Sequence, residues 1–249
     1  MATLTRPIQS APPAARVGSW PLVALFTRTM LFAGWQAVIA GLLALGGQAA
    51  AWDASAGWWP VTALLTNLVC IGLLAYLMRQ EGSRYWDLFR LDQAHWRRDL
   101  LTVLGLTVLA VPLVLLPNFG LATLLFGDAA APVPLMFRAL PAWAIWLSIL
   151  GFPVTIALAE LPLYFGYAMP RLGQGWWPVL LTAFFLSIQH AALPLIFDGR
   201  FIVWRALMFS LFALMCAVAL RWRPRLLPYL VVVHGLLDLQ AALMLLSVR

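Results

Sequence analysis

The sequence predicts an all-α fold, a polytopic bundle of about seven transmembrane helices. Hydrophobic residues fill 63% of the 249 positions and charged residues only 10%, a balance that a water-soluble globule of this size cannot hide from solvent. The apolar residues fall into runs near the ~20 residues that cross a hydrocarbon core. These runs cover 29–51, 58–78, 100–116, 141–169, 177–195, 202–220 and 226–247. Backbone polar groups in lipid must be satisfied within their own segment, so each run reads as a helix.

Residues 1–20 are rich in Ala, Pro and Ser and carry only Arg6 and Arg16, the composition of a mobile cytoplasmic tail. The first run follows it with Arg28 at its edge. Small residues from Gly47 to Ala51 resemble a cleavage site, but the run is long and starts late, so it reads as a retained span. Residues 21–138 then form an N-terminal group of membrane helices, and 139–249 a second group. Within the first, a connector near 83–98 interleaves Tyr85, Trp86, Leu88, Phe89, Leu91 and Trp96 with Arg84, Asp87, Arg90, Asp92, Arg97 and Arg98. That alternation predicts an amphipathic helix on the membrane surface. The apolar stretch 118–126, set off by Pro117 and Gly127, reads as a short interfacial piece.

The net charge of +7 comes from arginine alone, for the chain has no lysine. The arginines lie in short clusters at helix ends, not in a nucleic-acid stripe. Arg6, Arg16, Arg79, Arg84, Arg90, Arg97, Arg98, Arg171, Arg221, Arg223 and Arg225 fall on one face, and Arg138, Arg200, Arg205 and Arg249 on the other. The rule that positive loops stay inside therefore places the amino terminus in the cytoplasm. Cys70 and Cys216 both lie in apolar runs, where a thiol packs as a small hydrophobe. Trp58, Trp59, Trp176 and Trp177 mark interfacial belts. His95 sits in the connector and is assigned no role.

Chemistry is confined to few residues. Seven of the nine acidic residues fall in predicted loops or span boundaries, which leaves Glu160 and Asp238 inside helices, with His190 and His234. An ionisable group inside a membrane is costly to place, so its default reading is functional, with its partners facing the bundle interior. Counted at about 1.5 Å per residue, Glu160 lies roughly 16 Å in from Arg171, His234 roughly 14 Å in from Arg225 and His190 roughly 22 Å in from Gly175. One shared site is compatible with these depths. His234 and Asp238 are four apart and share a helix face. Pro153 and Pro162 each delete a helical hydrogen bond around Glu160 and predict a bend there.

These residues carry a resemblance. Glu160-Leu-Pro-Leu-Tyr-Phe-Gly166, then Leu186-Ser-Ile-Gln-His190, then His234-Gly-Leu-Leu-Asp238 are similar, in order and helix placement, to the three motifs of the CPBP family. That family includes type II CAAX prenyl proteases and bacterial proteins of bacteriocin processing and immunity. The family pattern is Glu-Glu-x-x-x-Arg, Phe-x-x-x-His and His-x-x-x-Asn/Asp, and the resemblance covers roughly residues 139–247. The chain departs from it at Leu161 for the second glutamate, Phe165 for the arginine and Leu186 for the phenylalanine.

The resemblance implies an intramembrane endopeptidase acting on a membrane-associated or lipid-modified peptide. Glu160 would activate a water, assisted by His190, while His234 and Asp238 would hold the tetrahedral intermediate. No cofactor is required. Zinc is the alternative, because two histidines and a carboxylate form a legitimate catalytic metal set. A non-catalytic scaffold or bacteriocin-immunity protein on the same fold is the alternative function, motivated by Leu161 and Phe165. The expected partners are membrane lipid and a peptide or protein substrate, without nucleic acid. The expected location, implied by the resemblance, is a bacterial inner membrane.

Overall fold

Seven helical segments alternate in direction through a bundle in a computed structural model that describes residues 18–248. They are α1 (Trp20–Leu45), α2 (Ala51–Gln80), α3 (Trp96–Phe126), α4 (Ala142–Arg171), α5 (Trp177–Ala192), α6 (Gly199–Trp222) and α7 (Pro224–Val248). All but α5 are long and apolar enough to cross a membrane unaided, so the chain is an integral membrane protein. Proline occupies the first turn of α1 and of α7, where its missing N–H costs nothing and its fixed φ suits the helix. The tail reading falls largely on residues 1–17, outside the described residues; Trp20 already belongs to α1.

Ion pairs and aromatic pairs at the two ends establish the alternation. At one end Arg171 on α4 pairs with Glu81 after α2, with Nε 2.9 Å from Oε2, and Tyr167 Oη donates to Glu81 Oε1 at 3.1 Å. Beside them Arg225, at the start of α7, pairs with Asp99 in the first turn of α3 at 2.8 Å. At the other end Arg138 donates to the Asp53 carbonyl at 2.6 Å, and Trp58 lies against Trp143. Among the described residues, the two arginine sets counted along the sequence lie at opposite ends, except Arg205, which is buried within α6; Arg28, at the edge of the first run, is buried within α1.

α4 is the central helix, flanked by α2 and α7, while α3 leans on α6 and α7. Its course follows from its prolines. Pro162 has no N–H to offer the Leu158 carbonyl, and the Tyr85 hydroxyl donates to that carbonyl instead, at 2.6 Å. The helix then runs through a π-helical turn, Pro162–Ala168, so the predicted irregularity beside Glu160 is present. Replacing Tyr85 with phenylalanine would leave a buried carbonyl unpaired. The expected cost is about 1–3 kcal/mol, read as a lowered midpoint of unfolding in detergent.

Two expectations are corrected. The connector is not an amphipathic helix over 83–98 but a single 3-10 turn, Tyr85–Phe89, followed by a loop that runs to the start of α3. Its Asp87 carboxylate accepts from the Arg84 N–H at 2.8 Å and closes the turn, and Tyr85 plugs inward. The stretch 118–126 is not a separate interfacial piece. α3 continues through Pro112 and Pro117 to Phe126 and ends at Gly127, whose φ of 81° is a conformation that favours glycine. Asp99, at the boundary of the third run, is fully buried in the first turn of α3.

α5 is the short helix. Its length of about 24 Å falls short of the ~30 Å core, and the chain then turns through a cis Leu193–Pro194 bond into α6. Irregular backbone near membrane depth must be satisfied by protein, and two buried side chains do so. Gln36 on α1 donates to the Leu195 carbonyl at 2.9 Å and accepts from its N–H at 2.7 Å. Arg205 donates to the His190 carbonyl at 3.3 Å and to the Leu193 carbonyl. Asp198 caps α6, accepting from the N–H groups of Arg200 and Phe201.

Candidate functional site

Glu160 lies in the bundle interior, 1% exposed, and three side chains from three other helices donate to its carboxylate. Oε2 accepts from Arg28 Nη2 of α1 at 2.9 Å and from Gln189 Nε2 of α5 at 2.8 Å. Oε1 lies 3.0 Å from His234 Nε2 of α7. The near-equal depths counted for Glu160 and His234 thus correspond to a direct contact. Asp238, one turn further along α7, lies 3.5 Å from the same His234 nitrogen, a distance beyond the usual hydrogen-bond range.

The sequence reading missed Arg28. Placed there at the edge of span one, it is instead a fully buried residue of α1, so the four acidic and imidazole groups are not the only ionisable side chains inside. Each arm of its guanidinium has a partner: Nε donates to Gln189 Oε1 at 2.8 Å, Nη1 to Asn67 Oδ1 at 2.7 Å and Nη2 to Glu160. Asn67 in turn donates to Thr155 Oγ1 at 3.2 Å, and the Tyr164 hydroxyl donates to Gln189 Oε1 at 3.1 Å. A planar fork is suited to such multiple acceptors, and a buried charge needs them all. A signal was present: Arg28, Phe32, Gln36 and Ala40 recur every fourth residue, and all are buried on one face of α1.

His190 does not reach Glu160. The 3-10 turn Gln189–Ala192 at the end of α5 turns Gln189 onto the carboxylate, while His190 Nδ1 lies 3.1 Å from the Ser187 carbonyl. With Nδ1 as donor there, Nε2 carries the lone pair. The ring lies 4.5 Å, centroid to centroid, from Phe209. Three of the four residues singled out from the sequence, Glu160, His234 and Asp238, come together. His190 stands next in sequence to a residue that joins them.

The α4–α7 contact that brings His234 to Glu160 depends on Gly235. A Cβ built at Gly235 would lie 2.9 Å from the Pro153 carbonyl oxygen and 3.1 Å from the Ala157 Cβ. The backbones could not keep this approach with any larger residue. Gly235→Ala is expected to cost about 1–3 kcal/mol, and Gly235→Val more, with a parallel loss of the His234–Glu160 contact. A shift of the His234 ring resonances in a histidine-labelled sample checks the second point.

A narrow crevice between α3, α6 and α7 reaches His234, bounded by Leu106, Thr107, Phe212, Cys216 and Val233. The zinc alternative does not fit the arrangement. Among the described residues no three His, Cys, Asp or Glu side chains are grouped to hold a metal ion, and the guanidinium of Arg28 already occupies one Glu160 oxygen, Oε2, while His234 lies on the other. What the residues can do is hold two carboxylates about one imidazole nitrogen, with a permanent cation behind the first carboxylate.

No family model matches the chain, and no curated protein or solved structure shows significant similarity to it.

Proposed function

We propose that the chain is an intramembrane endopeptidase of the CPBP type, cutting a membrane-associated or lipid-modified peptide. The observation that carries the reading is the contact of Glu160 with His234, beside Asp238, inside the bundle. These are residues of the first and third motifs, brought together by α4 and α7. The departure at Phe165 has a counterpart in space, because Arg28 of α1 supplies Glu160 with a guanidinium from another helix.

In this reading Glu160 takes a proton from a water whose oxygen attacks the peptide carbonyl carbon. The intermediate collapses with cleavage of the C–N bond. The proton passes to the leaving nitrogen, and the products are a carboxylic acid and an amine, which part as carboxylate and ammonium once the acid proton moves to the amine. His234 orients Glu160 through Oε1, and in this reading His234 and a protonated Asp238 would serve as donors to the developing oxyanion. His190 offers an unprotonated Nε2 near the end of α5. Arg28 neutralises the charge that Glu160 carries before the proton arrives. The arginine-rich end faces the cytoplasm, with the amino terminus on that side, and the membrane is a bacterial inner membrane.

A second reading has its own support. Glu160 is closed in by three donors and almost fully buried, as a structural joint between helices would be. A non-catalytic scaffold or immunity protein on this fold fits that closure. The test is cleavage of a membrane-peptide library by the detergent-purified chain and by Glu160→Gln, with metal content determined on the same samples. Cleavage abolished in the variant is the expected outcome; unchanged cleavage removes Glu160 from the chemistry, and stoichiometric zinc replaces the proposed mechanism.

A further inference from the structure

A cavity with a charged rim lies away from Glu160, at the arginine-rich end, with a volume of about 310 Å³. Arg90 after the connector turn, Arg221 at the end of α6 and Arg225 at the start of α7 line it, opposed by Asp87 alone among the acids that line it. Its remaining wall is apolar, including Phe165 and Leu227. Gly166 keeps that wall low: a Cβ there would meet Leu227 Cδ2 at 3.0 Å and Leu88 Cδ2 at 3.2 Å.

The three cations are not equally engaged. Arg225 is held by Asp99 through Nε at 2.8 Å, and Arg90 pairs with Asp87 at 2.6 Å on an exposed turn. Arg221 donates only to the neutral amide oxygen of Gln174, at 3.2 Å, among the described residues. The cavity thus carries positive charge that its own acids do not cancel. Trp86 and Trp222, next in sequence to Asp87 and Arg221, are 65% and 67% exposed. Exposed tryptophans in a membrane protein mark the headgroup level.

A soluble phosphate would have no use for the apolar wall, and a neutral lipid none for the arginines. Basic pockets between transmembrane helices at this depth suit anionic headgroups. We propose that this cavity binds the headgroup of an anionic phospholipid, with Arg221 and Arg90 on the phosphate and the acyl chains along the apolar wall. Arg225 fixes the depth of the site by anchoring α7 to α3. The proposal is independent of any activity at Glu160.

The full-length chain in detergent, titrated with dioleoylphosphatidylglycerol and, separately, dioleoylphosphatidylcholine under native mass spectrometry, tests it. Phosphatidylglycerol is expected to bind more tightly. Arg221→Gln should weaken it about fivefold and Arg90→Gln/Arg221→Gln roughly 25-fold, at about 1 kcal/mol per arginine near the surface. Both side chains are exposed, so the fold should survive their loss, and Arg221→Lys, which keeps the charge, should bind within about twofold of wild type. Arg97→Gln, on the same face but outside the cavity, should change nothing. Equal binding of the two lipids, no effect of the double variant, or an equal effect of Arg97→Gln would overturn the site. Displacement of phosphatidylglycerol by millimolar inorganic phosphate would overturn the lipid as its occupant.

Discussion

Replacing Arg28 with methionine is expected to destabilise the protein by about 3–5 kcal/mol, the cost of leaving one member of a buried ion pair without its partner. Against a total of about 5–15 kcal/mol for a typical fold, that is a large share. The loss has several parts. Glu160 keeps two neutral or imidazole donors, Gln189 and His234, but no countercharge; Gln189 Oε1 and Asn67 Oδ1 each lose a charged donor. Methionine fills most of the volume, so little of the cost is cavity. Arg28→Lys keeps the charge but offers a single ammonium where three arms now reach three acceptors, and should fall between wild type and methionine. Unfolding in detergent, followed by tryptophan fluorescence against denaturant, reads the order. A methionine variant as stable as wild type would mean that Glu160 is neutral in the folded protein.

The same arginine shows where sequence reading stopped. A count of apolar residues treats an arginine as the end of a span, so α1 was expected to begin at 29 and instead begins at Trp20. Its partner, Glu160, lies 132 positions away, and no local pattern reveals a countercharge at that separation. The later helices were legible because their apolar runs end where the helices end. α4, α5, α6 and α7 begin and end within a few residues of 141–169, 177–195, 202–220 and 226–247. Pro117 misled in the other direction. A proline removes one hydrogen bond and bends a helix, but inside a membrane there is no cheaper alternative for the neighbouring carbonyls, and α3 carries two prolines to its end.

Within the site, the depths allowed Glu160 and His234 one shared site and the four-residue spacing put Asp238 on the face of His234, and the structure brings the three together. Gln189 was not readable, because a search for ionisable groups passes over amides. Yet Gln189 is the residue that joins α5 to both Glu160 and Arg28, and it takes the place the sequence assigned to His190. The connector failed for a related reason. Its alternation of aromatic and charged residues fits an amphipathic helix, but Tyr85 is spent on the carbonyl that Pro162 frees on α4, a demand that comes from another helix.

Structural joint and catalytic base make different predictions only when stability is restored without the carboxylate. Glu160→Gln alone cannot separate them, since it strands Arg28 in the interior and should itself cost several kcal/mol, on the order of 3–5. The variant Arg28→Met/Glu160→Gln removes both charges together. Replacing a buried pair by neutral groups of similar volume is often close to neutral, so the double variant is expected to regain stability to within about 1–2 kcal/mol of wild type, an interaction energy between the two sites that a double-mutant cycle measures directly. Cleavage should not return with it, because the amide cannot accept the proton of the attacking water. A double variant that is stable and inactive assigns chemistry to the carboxylate. One that is stable and fully competent in the cell assigns Glu160 and Arg28 to holding α1, α4, α5 and α7 together, and the scaffold reading then stands.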